Sequence, residues 1–94
     1  MMNSQADIAT PRASRYLQQL CKHFAHKLPV EFDTAQGSIH FDIGDCKLGA
    51  DDETLRLDLT SPDGPQLARL KEVVVRHLER FAFREEMTIA WVDR

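Results

Sequence analysis

The stretch Ser38-Ile39-His40-Phe41-Asp42-Ile43-Gly44-Asp45-Cys46-Lys47-Leu48-Gly49-Ala50 is apolar at every second residue on either side of Gly44-Asp45. Strict alternation places successive side chains on opposite faces of a strand, so this stretch reads as two strands joined at a turn. The same period continues on both sides. Val30 and Phe32 alternate with Glu31 and Asp33 before the turn Thr34-Ala35-Gln36-Gly37. Leu55, Leu57 and Leu59 alternate with Arg56 and Asp58 after the acidic turn Asp51-Asp52-Glu53. The result is a four-strand antiparallel meander with one apolar and one polar face.

Upstream, the period changes to that of a helix. Ala13, Leu17, Leu20, Phe24 and Leu28 recur every three or four residues and share one stripe. Thr10-Pro11 reads as an N-cap with proline at the first helical position, and Pro29 as a stop. The spacing predicts a helix from about Pro11 to Lys27. Downstream, Ser61 to Gln66 is a loop, with Ser61 or Asp63 as cap. Leu67, Leu70, Val74, Leu78 and Phe81 form the stripe of a second helix. Met87, Ile89 and Trp91 alternate inward as a last strand.

The expected fold is α+β: a two-layer sandwich of a mainly antiparallel five-stranded sheet with two helices on one face, in the order α-β-β-β-β-α-β. The strand order does not follow from the pattern. The last strand has the first strand of the meander, or a place inside the meander, as its alternatives. Residues 1–9 are small and polar and read as a disordered tail, leaving residues 10–94 as a single domain.

Twelve basic and fifteen acidic side chains give a net charge of −3, which leaves no electrostatic footprint for nucleic acid. No apolar run approaches the roughly 20 residues of a membrane span. The start Met1-Met2-Asn3-Ser4 has no basic region followed by an apolar one, so the expected location is the cytoplasm. Cys21 and Cys46 are read as free thiols.

Three features carry candidate chemistry. His23 and His26 lie three residues apart on the first helix, beside Tyr16 and Gln19 and away from the apolar stripe. Paired imidazoles can ligate a transition metal, but a site needs three or four ligands. A solvated helix face is the plainer alternative. His77 sits at the margin of the second helix's stripe, where it is either a ligand or proton acceptor or a core-edge histidine satisfied by a carbonyl. Adjacent helices would bring it near His23, giving His23, His26 and His77 as the candidate metal set. Arg15, Arg80 and Arg84 can gather as an anion site, or Arg80 and Arg84 can pair with Glu85, Glu86 or the helix end. The four glycines are scattered singly and build no phosphate cradle.

The words Ala13-Ser14-Arg15-Tyr16-Leu17, Cys21-Lys22-His23-Phe24-Ala25-His26-Lys27, Gly37-Ser38-Ile39-His40-Phe41 and His77-Leu78-Glu79-Arg80-Phe81-Ala82-Phe83-Arg84-Glu85 resemble a bacterial family of small proteins classed as domain of unknown function 2218. The likeness spans nearly the whole chain after Ile8. Arg15, Tyr16, His23, His26, His77, Arg80, Arg84 and Glu85 are the matched residues a core alone does not need. Some family members look to accompany flavoproteins of siderophore iron uptake, which implies a tie to iron–siderophore metabolism and a siderophore-utilisation flavoprotein as partner. The expectation is a non-enzymatic accessory domain that binds a ligand or partner through Arg15, Tyr16, His23, His26, His77, Arg80 and Arg84. Its alternatives are a small enzyme or redox-assisting module using His77 and a cysteine, and a structural homo-oligomer that pairs through its sheet.

Overall fold

The computed structural model describes residues 1–83, 85 and 87–93. Eight elements follow in chain order: β1 (Met2–Ala9), α1 (Ala13–Phe24), β2 (Val30–Phe32), β3 (Gln36–Phe41), β4 (Gly44–Ala50), β5 (Thr54–Ser61), α2 (Gly64–Phe81) and β6 (Val92–Asp93). They form a six-stranded antiparallel sheet in the order β2-β3-β4-β5-β1-β6. Both helices pack on one face of it. The fold class is α+β, two helices on an open sheet. Among the described residues, no helix is long and apolar enough to cross a membrane.

The meander forms as the alternation requires. Ile39, Cys46, Leu48, Leu55, Leu57 and Leu59 are buried towards the helices. Leu17, Leu20, Leu70, Val74 and Leu78 close the layer from above. The turn between β3 and β4 falls at Asp42-Ile43 and not at the expected Gly44-Asp45, because Phe41 pairs with Gly44. Helix α2 is capped by Asp63, whose carboxylate accepts from the Gln66 backbone N–H at 2.9 Å and from its side-chain amide at 3.0 Å.

The N-terminal residues are the main correction. The segment expected as a disordered tail, residues 1–9, is instead strand β1, paired with β5 over eight consecutive positions from Met2↔Ser61 to Ala9↔Thr54. It alternates Ser4, Ala6 and Ile8 inward against Asn3, Gln5 and Asp7 outward. Two of the three inward residues are small and one is polar, so the alternation carries almost no hydropathy signal. The sheet therefore has six strands, not five, and the single domain includes residue 2 onward. The last strand also pairs elsewhere than expected. Its ladder is confined to β6, which adds to β1 at Gln5↔Val92 and Ser4↔Asp93. Met87, Ile89 and Trp91 do pack against the core, but without a ladder of their own. Helix α1 starts at Ala13, two residues later than its predicted start. The Thr10 hydroxyl accepts from the Arg12 N–H at 3.2 Å, and the helix has no side-chain cap.

Two glycines are fixed by geometry. Gly44 has φ 151°, and a Cβ there would lie 2.2 Å from the Thr60 carbonyl oxygen. Gly37 lies under α1, where a Cβ would meet Cys21 Sγ at 2.7 Å. Gly49 is different, because a Cβ there would meet nothing within 4 Å. Urea unfolding should therefore separate them. Gly44→Ala is expected to cost about 1–3 kcal/mol. Gly49→Ala is expected to gain about 0.5–1 kcal/mol, since a mid-strand glycine forgoes that much. A neutral Gly44→Ala would refute this account of the turn.

Candidate functional site

Helices α1 and α2 lie side by side, and one end of their seam opens as a cleft of about 440 Å³. From α1 and the turn after it come His23, Phe24, His26, Lys27 and Leu28; from β3, Phe41; from α2, Val73 and His77. The local sequence builds this opening. Helix α1 stops at Phe24, opposite His77, while α2 extends past that point towards its own start at Gly64, so Val73 is left half-exposed beside the opening. Phe24, the last residue of the α1 stripe, is only half-buried and packs its ring on Phe41 at 4.9 Å between centroids.

His77 meets α1 as expected from its place on the stripe. Its ring lies 4.9 Å from that of His23 and 4.8 Å from that of Phe24. Its Nδ1 is 2.7 Å from the Val73 carbonyl oxygen, which can only accept, so Nδ1 carries the hydrogen. Nε2 is then the nitrogen left to act on anything else. His23 also stands edge-on to Phe24 and to Phe81. Desolvation by these rings, followed by repulsion from His77, His26, Arg80 and Lys27, holds its pKa below the ordinary histidine value.

The seven expected site residues divide between two places. His23, His26 and His77 line one cleft, with the charge of Arg80 reaching its edge. Arg15 and Tyr16 line a separate groove of about 380 Å³ with Arg12, Gln19, Phe81, Phe83 and Glu85. Arg84 lies outside the described residues. Arg80 is in neither lining, and the anion site expected from Arg15, Arg80 and Arg84 includes a residue outside those described. Among the described residues, Glu85 is held by Tyr16, Thr10 and Arg12. The Tyr16 hydroxyl donates to one carboxylate oxygen, Thr10 to the other at 3.0 Å, and Arg12 approaches at 3.4 Å. Tyr16 heads the causes that keep the Glu85 carboxyl below its ordinary range. Burial, then this same contact, raises the Tyr16 phenol.

Metal and thiol chemistry find little purchase here. Among the described residues, no three His, Cys, Asp or Glu side chains gather to hold a metal ion. His23 and His77 face one another across the seam, and His26 joins the cleft without completing a ligand set. Cys21 and Cys46 are free and fully buried in the layer below. Burial pushes the Cys21 thiol up to about 11 and Cys46 higher still, the opposite of a reactive thiolate. Neither cysteine lines the histidine cleft. Elsewhere, His40 on the outer sheet face pairs with Asp45 at 3.0 Å, both exposed.

Lys27, Phe41 and Val73 were missed as cleft residues by sequence reasoning. Phe41 alternates inward as a core residue would, and Val73 lies off the apolar stripe of α2. Only the early end of α1 exposes them together, and helix ends are poorly marked in sequence.

The model of a family described as an uncharacterized protein conserved in bacteria (DUF2218) matches residues 5–92. The fold is similar to the NMR structure of PA4090 from Pseudomonas aeruginosa, with 39% sequence identity and a TM-score of 0.83. That match covers 98% of this chain and 96% of the other. No curated protein matches.

Two measurements check the electrostatics. The folded chain binds a proton at His23 less readily than the unfolded chain does, so acid favours unfolding through this group. Its stabilising share is present above about pH 6.5 and is lost as the pH falls below that. His23→Gln should flatten the stability profile between pH 7 and 5, measured by urea unfolding at each pH. Tyr16→Phe should cost about 1.5–3 kcal/mol at neutral pH, as for a lost hydrogen bond to a charged group. A loss well under 1 kcal/mol would show that the Tyr16–Glu85 contact is not a fastening of the fold.

Proposed function

We propose that this chain, which belongs to the DUF2218 family, is a non-enzymatic binding domain that takes a small ligand in the cleft between α1 and α2. The observation behind the proposal is the meeting of His23 and His77 beside Phe24 and Phe41, at a seam left open to solvent. A packed core gains nothing by leaving two aromatic rings and two imidazoles around a cavity of that size. Binding sites for small molecules have this composition, largely apolar walls with a few polar groups to orient the ligand.

Catalysis is the weaker reading. The histidines have no carboxylate orienting them among the described residues, and the thiols sit beneath the layer with their pKa values raised. A cytoplasmic location completes the proposal from the sequence pattern, and a tie to iron–siderophore metabolism and a flavoprotein partner complete it on family resemblance alone. The imidazoles of the cleft do not make a metal set, so a siderophore-related ligand would be recognised through its organic part.

The test is a ligand-observed NMR screen of a small-molecule fragment library. Hits should perturb the Phe24, Phe41 and His77 resonances and be lost in Val73→Phe, which fills the cleft from the half-exposed wall of α2. Each hit should be recovered chemically unchanged after long incubation. A library that yields no hit at these residues would end the proposal, and turnover of a hit would replace it with an enzyme.

A further inference from the structure

The cleft's charge narrows what it can hold. The protein as a whole is acidic, with a net charge of −3. The cleft is not. Its ionisable lining is His23, His26, Lys27 and His77, and among the described residues no Asp or Glu lines it. Arg80, from the exposed side of α2, adds to the positive charge bearing on His23. Like charges gathered without a counter-charge are a standing cost, which an arriving anion relieves. The remaining walls are Leu28, Val73 and the rings of Phe24 and Phe41, the two rings edge to face at 71°. Such rings favour a flat partner that can stack or meet them edge-on.

We infer that the cleft binds a planar aromatic anion, a ring bearing one carboxylate, with the ring against Phe24 and Phe41 and the carboxylate towards His77 Nε2 and Lys27. This rests on the binding reading above and names its ligand class. It also gives the binding a proton. His77 Nδ1 already donates to the Val73 carbonyl, so neutral His77 presents Nε2 as a lone pair, which repels a carboxylate. Protonated His77 presents Nε2–H, which donates to it. His23, disfavoured as a cation by His77, His26, Lys27 and Arg80, gains the same proton more easily once an anion sits among them. Binding therefore takes up protons, and affinity rises as the pH falls through the histidine range. Each unit by which a bound anion raises a histidine pKa corresponds to about tenfold in affinity between the two pH limits.

Benzoate, benzamide and inorganic phosphate separate the parts of this inference. Each is titrated at pH 6 and pH 8 while the Phe24, Phe41 and His77 resonances are followed, with calorimetry in two buffers of different ionisation enthalpy. Benzoate should bind more tightly at pH 6, with proton uptake, and benzamide and phosphate at least about tenfold more weakly. Lys27→Gln, an exposed position safe for folding, should weaken benzoate at both pH values; His23→Gln should reduce the pH dependence. Benzamide binding as tightly as benzoate overturns the anion, and phosphate binding as tightly overturns the ring. Benzoate affinity equal at both pH values overturns the proton linkage. If none of the three binds while other fragments still occupy the cleft, the ligand class falls and the binding reading stands. If no fragment of any kind occupies it, both fall.

Discussion

The pairing of β1 with β5 is the interaction on which the rest of the molecule depends. Eight consecutive residue pairs make β5 an interior strand, flanked by β4 on one side and β1 on the other. That position buries Leu55, Leu57 and Leu59 completely. It also widens the sheet enough to carry two helices side by side. Helix α2 rests on β5 with β1 beside it, and α1 rests on β3 and β4. Without β1, the sheet would end beneath α2, and Leu70, Val74 and Leu78 would have less to pack against. β1 also receives β6, and Lys71 of α2 pairs with Asp93 there at 2.8 Å, tying helix to sheet edge.

Side-by-side helices of unequal length have a consequence at their ends. At one seam end Tyr16, Arg12 and Thr10 grip Glu85 beside the groove that Arg15 and Gln19 line. The other is open, because α1 stops at Phe24 and the chain turns away to reach β2. A polar fastening at one end and a lined opening at the other follow from a single fact, the offset of two helices on one sheet. The cleft is thus a product of topology furnished by a few side chains, and the fold does not require those side chains to be histidines.

The strands and helices whose apolar residues are large were legible in the sequence. Leu55, Leu57 and Leu59 announce β5, and Leu67 to Phe81 announce α2 with its Asp63 cap. β1 was not legible, because Ser4 and Ala6 face inward with side chains too small to register as apolar, and because polar N-terminal residues more often lack a partner. Of the candidate site, the meeting of His23 with His77 could be anticipated from the two helical wheels. The separation of Arg15 and Tyr16 from the histidines could not, since it depends on where Glu85 lands after the end of α2. That placement is long-range, 69 residues from Tyr16, and local patterns carry no information about it.

The sheet is broad in the middle and narrow at its margins. Its outermost strands are three residues in β2 and two in β6. On the β2 side a neighbouring chain meets only a short row of backbone donors and acceptors, a form of protection against edge-to-edge aggregation, whereas on the other side β6 covers only Ser4 and Gln5 of the eight-residue β1.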